Sequence, residues 1–389
     1  MDKKISQILF LLLRQVLRKD LVQNNDIDCS SNTLEELLYL SRQHDIAQIV
    51  SVALISNQSI VKTNRCDEII QQAIISSVYR YERMNYEFKT LVSVFEENQI
   101  SFIPLKGAIV RGYYPEPWMR TSGDIDILVH PEDLPKAVSI LVKELDYKEG
   151  EKGSHDVSLH SPSKIHVELH YKLVEKGWAQ NSCLVLEQVW DYVIQREGYK
   201  YWYDMSDDMF YFYHIAHMTK HFEQGGCGIK PYLDLWILDN VKGGDREKIN
   251  NLLIQGGLLR FSEVSRKLSR VWLEGEKSDA TTEKMQEYVL NGGVQGNTEN
   301  RIAIQQQQKG GVVPYVFSKI FIPYEIIKFQ YPVLQKYRWL TPIMEVRRWG
   351  KLIFCGHASR VTKELQYGTR ISKVEAEDMS AFLNEIGLR

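Results

Sequence analysis

The chain has 389 residues, a length that predicts two domains with appendages and enough material for a sizeable hydrophobic core. Hydrophobic residues make up 44% and charged residues 25%, which are ordinary values for a soluble globular protein. The 48 Lys and Arg against 50 Asp and Glu give a net charge of -2, which excludes a wholesale polyanion binder and leaves only a local basic patch open.

The five cysteines are far apart in the sequence, and no two of them have zinc-ligand spacing. The sequence therefore predicts neither a disulfide framework nor a structural zinc site, and we expect a cytoplasmic protein. The cysteines are Cys29, Cys66, Cys183, Cys227 and Cys355.

Residues 1–98 are predicted to form helices, because apolar side chains recur at helical spacing and glycine is absent from the whole stretch. An apolar run at residues 8–13 ends at Arg14 and is too short for a membrane span. We interpret it as a helix that buries one face in the core.

Residues 99–180 are predicted to form a small α/β unit with a mixed sheet, so the expected fold class of the chain is α+β. Short β-prone runs alternate there with two helices, one beginning at Lys106 and one covering residues 131–145. The predicted strands cover residues 101–105, 124–129, 156–160 and 164–170.

The remainder is predicted to be helical, apart from a flexible linker. Residues 181–290 form the predicted helical domain, and residues 291–311 form the linker, because they contain several glycines and the run Gln305 to Gln308. The last segment, 312–389, is rich in aromatic residues and carries 12 Lys and Arg against 7 Asp and Glu. Nucleic acid or a membrane surface would suit such a segment, but we favour a solvated amphipathic face because the excess of charge is modest.

Three carboxylates form the most informative pattern. Side chains alternate along a strand, so Asp124 and Asp126 share one face while the intervening isoleucine packs on the other. The same parity places Glu168 beside His166 and His170. Clustered carboxylates repel one another unless a cation is present, and Mg²⁺ prefers carboxylates, waters and substrate phosphates. The sequence therefore predicts a Mg²⁺ site, which Mn²⁺ would also fit, for displacement at phosphorus.

Residues upstream of this pattern suit the same chemistry. Gly107 is expected to begin a helix, where backbone amides attract phosphate and a missing side chain allows it to approach. Lys106 and Arg120 would neutralise triphosphate charge, and the Ser122 hydroxyl would donate a hydrogen bond to it. No Walker-type loop or dinucleotide fingerprint is present.

The histidines leave alternative interpretations open. His166, Glu168 and His170 alternate along one strand and would also suit a transition metal, although we favour a role for His170 in orienting Glu168. His214, His217 and His221 share one helical face, which permits either a zinc site or simple packing. His170, His217 and Lys220 are also candidates for lining the acceptor cleft.

The acidic and basic motifs together resemble the uncharacterised nucleotidyltransferase family of the polymerase-β superfamily. The residues that carry this resemblance are Leu105-Lys106-Gly107, Tyr113, Arg120, Asp124-Ile125-Asp126 and Glu168-Leu169-His170. Residues 37–50 resemble the family's leading helices, and His217, Lys220-His221 and residues 232–235 resemble its helical domain. Residues 322–325 and 331–332 resemble its closing segment.

The resemblance implies a nucleotidyltransferase fold, which is a short mixed sheet flanked by helices, with further helical regions at both ends. It also implies that Asp124 and Asp126 bind metal, that Glu168 is the third acid, and that Gly107 belongs to the nucleotide-binding turn. We therefore expect a Mg²⁺-dependent enzyme that transfers an NMP from an NTP, with ATP the expected nucleotide, to an unidentified acceptor and releases pyrophosphate.

Three alternative functions stay open at the level of sequence. The first is a toxin-like or regulatory enzyme with the same chemistry that modifies a protein or an RNA. The second is a nucleotide-binding module without catalysis, which the intact set of three carboxylates argues against. The third is a transition-metal hydrolase that uses the histidines.

Overall fold

The computed structural model describes residues 3–18, 30–57, 63–173, 180–294, 296–354 and 373–388. The chain divides into two compact units. The first unit consists of Met1–Lys220 with Cys227–Val294, and the second of His221–Gly226 with Gln295–Arg389. The segments predicted at 1–98, 99–180 and 181–290 therefore fall within the first unit, apart from residues 221–226.

The fold class is α+β, as predicted, with one five-stranded sheet among many helices. The helices of the first unit are α1 (Lys3–Leu17), α2 (Ser31–Gln43), α3 (Ala47–Ser56), α4 (Asn64–Glu97), α5 (Gly107–Val110), α6 (Leu134–Glu144), α7 (Gln180–Leu186), α8 (Asp207–Glu223, whose last residues belong to the second unit), α9 (Lys230–Ile237), α10 (Arg246–Gln255), α11 (Leu259–Glu274) and α12 (Ala280–Gly292). The second unit adds α13 (Thr298–Lys309), α14 (Val312–Ile320), α15 (Tyr324–Gln330), α16 (Val333–Lys336), α17 (Thr341–Phe354) and α18 (Lys373–Glu385).

The sheet is mixed, and its strand order is β1-β2-β5-β4-β3. The central strands β2 and β5 are parallel, and the other neighbouring pairs are antiparallel. The strands are β1 (Phe102–Pro104), β2 (Asp124–Val129), β3 (Lys148–Lys152), β4 (Asp156–His160) and β5 (His166–His170). A separate hairpin contains β6 (Val193–Gln195) and β7 (Tyr203–Met205).

The main hydrophobic core of the sheet lies between the strands and helices α4 and α6. Ile125 and Ile127 of β2 are buried there together with Val167 and Leu169 of β5. Because side chains alternate along a strand, the intervening polar residues of both strands lie on the opposite face. One face of the sheet thus supplies this core, and the other carries the polar residues, next to the buried Ile103 and Leu128.

The amino-terminal helix α1 is part of the core of the first unit, as predicted. Leu9, Leu12 and Leu13 are fully buried. Phe10 stacks on Trp272 of α11 with ring centroids 4.6 Å apart, and Arg14 donates hydrogen bonds to carbonyl groups in the last turns of α11. Among the described helices, none combines the length and the hydropathy that crossing a bilayer requires.

The prediction of a flexible linker at residues 291–311 is wrong for most of that stretch, which forms α13. The side chain of Asn297 caps the start of this helix by accepting a hydrogen bond from the Glu299 N–H, and Gly310 ends it in the left-handed conformation. Ile302 and Ile304 are fully buried, so the helix packs in the interior of its unit.

Three of the five cysteines lie in the described residues. Cys66 and Cys227 are buried, Cys183 is half-buried, and no disulfide joins them. Cys29 and Cys355 lie outside the described residues.

Candidate active site

The polar face of the sheet brings the three predicted acids together. In the parallel pairing of β2 and β5, Asp126 lies directly opposite Glu168, and Asp124 lies opposite His166. This register places the acids of both strands side by side on the face away from the core. The tertiary structure therefore places Glu168 beside both aspartates.

Two overlapping groups of side chains have the geometry of a metal site. Asp124, His166 and Glu168 form one group, and Asp126, Glu168 and His170 form the other. In each group the ligand atoms lie within 4.8 Å of one another, and Glu168 belongs to both. The carboxylates fit a hard divalent cation, and the imidazoles add nitrogen donors that Mn²⁺ or Zn²⁺ accepts more readily than Mg²⁺ does.

Asp126 is the buried centre of this cluster. One of its carboxylate oxygens, Oδ1, lies 3.2 Å from Lys106 Nζ and 2.9 Å from His170 Nε2. Burial opposes the charge of Asp126, but the ammonium of Lys106 and the hydrogen bond with His170 outweigh burial and lower the pKa of Asp126. Asp126 is therefore an anion held by two cationic or hydrogen-bonding neighbours.

The pKa of Asp124 is shifted in the opposite direction from that of Asp126. The burial of Asp124 and the nearby charge of Asp126 raise that pKa, and Lys106 and His166 act in the other direction without outweighing them. Two carboxylates on one strand face thus carry more negative charge than the protein alone compensates. A bound cation would remove that excess, so the residues present fit a divalent metal.

Lys106 reaches the cluster because of the backbone at the end of β1. The Leu105 N–H donates to the Asp126 carbonyl at 3.0 Å, which extends the pairing of β1 with β2 to the residue before Lys106. Lys106 itself has φ 44° and ψ -114°, a conformation that residues with a side chain rarely adopt. Strain of this kind is retained where the surrounding structure fixes it, as it is at many functional sites.

Gly107 and Ser122 are in contact, and the space beside Gly107 is already filled. A Cβ at Gly107 would lie 3.2 Å from Ser122 Cβ and 3.4 Å from Arg120 Nη1. Ser122 Oγ accepts a hydrogen bond from Arg111 at 2.7 Å and donates to the sulfur of Met84. The missing side chain of Gly107 thus allows the loop before β2 to approach closely, and α5 is a single turn with little dipole of its own. Phosphate binding by Gly107 and Ser122 remains a prediction.

Arg120 was predicted to contact phosphate, but its guanidinium is buried in an ion pair with Asp234 of α9. Arg120 Nη2 lies 2.7 Å and Nε 2.9 Å from the two oxygens of this carboxylate. The Tyr114 hydroxyl donates to Asp234 at 2.7 Å, and Arg120 Nη1 donates to the carbonyl of Thr121. Arg120 therefore positions the loop before β2, and its main donors are already used within the protein.

A second, half-buried contact joins the same loop to the amino-terminal helices. The ammonium of Lys230 contacts the carboxylate of Asp45 and donates to the Thr121 carbonyl at 3.1 Å. Asp45 also accepts a hydrogen bond from the Thr121 hydroxyl at 2.8 Å. Helices α2 and α9 are thereby tied to the residues that lead into Asp124.

The model of the uncharacterised nucleotidyltransferase family matches residues 30–274. The chain belongs to this family. No curated protein and no solved structure matches it. The match covers the sheet, the acid cluster and the loop that Arg120 and Lys230 hold, and it supports nucleotidyl transfer as the general activity.

In this nucleotidyltransferase, helix α8 brings Tyr213 to the polar face. Burial raises the pKa of its phenol, whose charged form interacts with Lys106, Asp126 and Glu168. The ring of His217 lies 6.1 Å from that of Tyr213, one helical turn further on. His217 and Lys220 are both half-buried. Their predicted place in an acceptor cleft stays a prediction, whereas His170 lies within the acid cluster.

The zinc interpretation of the α8 histidines gains no support in the described part of the chain. His214 makes a hydrogen bond of 2.9 Å to the Pro231 carbonyl, which anchors α8 to α9. The groups that could hold a metal among the described residues are the two formed around Glu168. The alternating His166, Glu168 and His170 are in those groups, together with the aspartates.

Four residues that shape the site of this nucleotidyltransferase were not singled out as functional from the sequence. They are Asp45, Arg111, Tyr213 and Asp234. Tyr213 had a usable signal, because it lies one turn before His217 on the same helical face. Asp45 and Asp234 act through contacts with residues more than 70 positions away in the sequence, which no local pattern marks. Arg111 contacts Gly107 and Ser122 within its own loop region, and nothing in the local pattern distinguished it from a surface arginine.

Proposed function

We propose that this chain transfers a nucleoside monophosphate from an NTP, with ATP the expected donor, to an acceptor hydroxyl. The acceptor oxygen forms a bond to the α-phosphorus, the bond from that phosphorus to the pyrophosphate oxygen breaks, and pyrophosphate leaves. The observation that carries the proposal is the register that sets Glu168 opposite Asp126 and beside Asp124.

Asp124, Asp126 and Glu168 would hold the divalent cation, with Mg²⁺ as the expected metal and Mn²⁺ as a substitute. When bound, such a cation neutralises phosphate oxygens and favours displacement at phosphorus. Glu168 is more exposed than Asp126, at 24% against 4% of the side chain, so substrate has access to it. We therefore assign Glu168 as the acceptor of the proton that the attacking hydroxyl loses.

Lys106 would act on the triphosphate as a fixed positive charge. Asp126, Asp124 and Glu168 all favour its ammonium form, and its pKa is raised although burial alone would lower it. Gly107 and Ser122 would shape the turn against which the nucleotide lies. Arg120 would hold this turn through Asp234 without contacting phosphate. His217 and Lys220 are proposed to border the acceptor cleft.

The test is pyrophosphate release and label transfer from each of the four labelled NTPs, with Mg²⁺ or Mn²⁺ and a cell extract as the source of acceptor. We expect Asp126→Asn and Glu168→Gln to lower transfer by at least about 100-fold, because each removes a metal ligand. Glu149→Gln changes an exposed carboxylate on the edge strand β3 of the same sheet and should leave transfer unchanged.

The outcomes separate the alternatives. Transfer that survives both Asp126→Asn and Glu168→Gln would disprove the assignment of the site. Tight nucleotide binding without pyrophosphate release from any mixture would identify a binding module. The mass and chemical nature of the labelled product would show whether the acceptor is a small molecule, a protein or an RNA. Stoichiometric zinc in the purified protein, with hydrolysis and no transfer, would support the hydrolase.

A further inference from the structure

Helix α17 of the second unit buries two charged side chains. Glu345 and Arg348 are buried, and the Arg348 side chain donates to the Glu345 carboxylate at 2.8 Å and to the Ile320 carbonyl at 2.6 Å. Glu345 in turn accepts a hydrogen bond of 2.8 Å from the Ile322 N–H. The helix is therefore attached to its unit through a satisfied polar network.

The outer side of the same helix is apolar. Val346 is 72% exposed and Ile343 is 53% exposed, and Trp339, one turn before them, is 72% exposed. Trp339 lies in the short 3₁₀ turn Arg338–Leu340 that leads into α17, and Ile343 and Val346 are three residues apart on one face of the helix itself. These three exposed side chains form an apolar patch, which we call the stripe. A helix whose only partner is its own domain usually buries its large aliphatic side chains, whereas α17 leaves Ile343 and Val346 exposed.

Cationic side chains border this stripe. Arg347 and Lys351 are exposed on α17. Residues 312–354 contain seven Lys and Arg against two Glu, although the whole chain has a net charge of -2. Positive charge is thus concentrated in the stretch that also exposes the stripe. Other exposed apolar side chains of this stretch are Phe317, Phe321, Ile326, Val333 and Tyr337.

We propose that the second unit docks on the surface of an anionic lipid bilayer, with α17 lying in the plane of the interface. Trp339, Ile343 and Val346 would enter the boundary between headgroups and acyl chains, and Arg347 and Lys351 would reach the lipid phosphates. At 14 residues the helix is too short to span a bilayer, so it lies on the membrane.

The charge and chemistry of the stripe favour lipid over other occupants. A second copy of the chain would bring two positively charged surfaces together, which repel. Nucleic acid would be attracted by the cations, but isoleucine and valine offer no planar surface on which bases stack. Acyl chains match the aliphatic residues, and lipid headgroups match the cations around them.

The test is co-sedimentation of the full chain with vesicles of equal parts phosphatidylcholine and phosphatidylglycerol, compared with vesicles of phosphatidylcholine alone. We expect binding to the anionic vesicles that weakens as salt is added, with a blue shift of tryptophan emission. The double variant I343S/V346S should bind at least about tenfold more weakly, because binding no longer transfers two aliphatic side chains from water into the bilayer. Trp339→Phe should retain binding and lose most of the emission shift.

Tyr86→Ser is the matched control. Tyr86 is 74% exposed on α4 of the first unit, so its removal should leave vesicle binding unchanged. Circular dichroism checks that each variant is folded. Absence of binding to anionic vesicles, or undiminished binding by folded I343S/V346S, would overturn the proposal. If the protein does not bind vesicles but forms a dimer that the double variant abolishes, the stripe contacts a second copy of the chain. If it binds RNA instead and the double variant abolishes that binding, the stripe contacts RNA.

Discussion

Arg120 and Asp234 form a buried ion pair that joins the loop before β2 to helix α9. The side chain of Asp234 is 1% exposed and that of Arg120 11%. Burial opposes the charge of Asp234, but the guanidinium outweighs burial and lowers the pKa of Asp234. A pair of this kind contributes little when intact relative to an apolar pair, yet removing one partner leaves a buried charge without compensation.

We therefore expect Asp234→Asn to destabilise the protein by about 3–5 kcal/mol, because Arg120 would stay buried without a counter-charge. The measurement is urea denaturation followed by circular dichroism. Glu263→Gln provides the comparison, since Glu263 pairs with Arg260 at 3.5 Å on the surface, where both side chains are more than half exposed. That change should cost less than about 1 kcal/mol. Equal effects of the two substitutions would contradict the role assigned to Asp234.

At the scale of elements, the acid cluster depends on how closely α5 approaches the loop before β2. Gly107 allows this approach, because an added Cβ would lie 3.2 Å from Ser122 Cβ and the loop would have to move. Ser122 is two residues before Asp124, so a displaced loop carries with it the first of the proposed metal ligands. Sub-ångström placement matters in catalysis, since small displacements of reacting groups reduce rates steeply.

Gly107→Ala is expected to cost about 1–3 kcal/mol of stability and to lower transfer at least about tenfold. Gly112→Ala should leave both unchanged, because no atom lies within 4 Å of a Cβ at Gly112. Thermal denaturation and pyrophosphate release measure the two effects. If Gly107→Ala is as active as Gly112→Ala, the close approach does not limit catalysis.

Local periodicity was enough to predict the polar face of the sheet. Alternation along β2 placed Asp124 and Asp126 on one side, and the same parity placed Glu168 with its histidines. The pairing of the two strands in parallel is a tertiary property, yet the parity argument held because the isoleucines of β2 and the apolar residues of β5 share one core. The membership of the acid cluster was therefore predictable from the sequence, but the register between β2 and β5 was not.

Other features were hidden for physical reasons. Arg120 looked like a phosphate ligand because its partner Asp234 is 114 residues away, beyond any local signal. Strand β3 (Lys148–Lys152) was missed because it is an exposed edge strand with no apolar alternation. Helix α13 was taken for a linker because its glutamines suggested low complexity, although Asn297 and Gly310 are ordinary helix caps.

At the scale of the whole first unit, His44 joins three helices in its interior. The side chain is fully buried at the end of α2. Its Nε2 lies 3.3 Å from the Leu290 carbonyl of α12, and its Nδ1 lies 3.3 Å from the N–H of Ile229, the residue before α9. Only the neutral ring satisfies both contacts, because Nε2–H must donate while Nδ1 accepts.

Burial lowers the pKa of His44 from 6.5 to about 4, although the hydrogen bond to the Leu290 carbonyl acts in the other direction. Between these values the unfolded chain binds a proton that the folded protein does not. The free energy of unfolding therefore keeps its full His44 contribution above pH 6.5 and loses it as the pH falls towards 4. At pH 5 the expected loss is about 2 kcal/mol, from the difference between the folded and unfolded pKa values.

We expect His44→Gln to flatten this pH dependence, because a glutamine amide can donate to one backbone group and accept from the other without titrating. Urea denaturation at a series of pH values from neutral to 5 measures the slope for the wild type and the variant. His160→Gln is the matched control, since His160 is exposed on β4 and its removal should leave the slope unchanged. A slope that is the same in wild type and His44→Gln would show that other groups set the acid stability of the first unit.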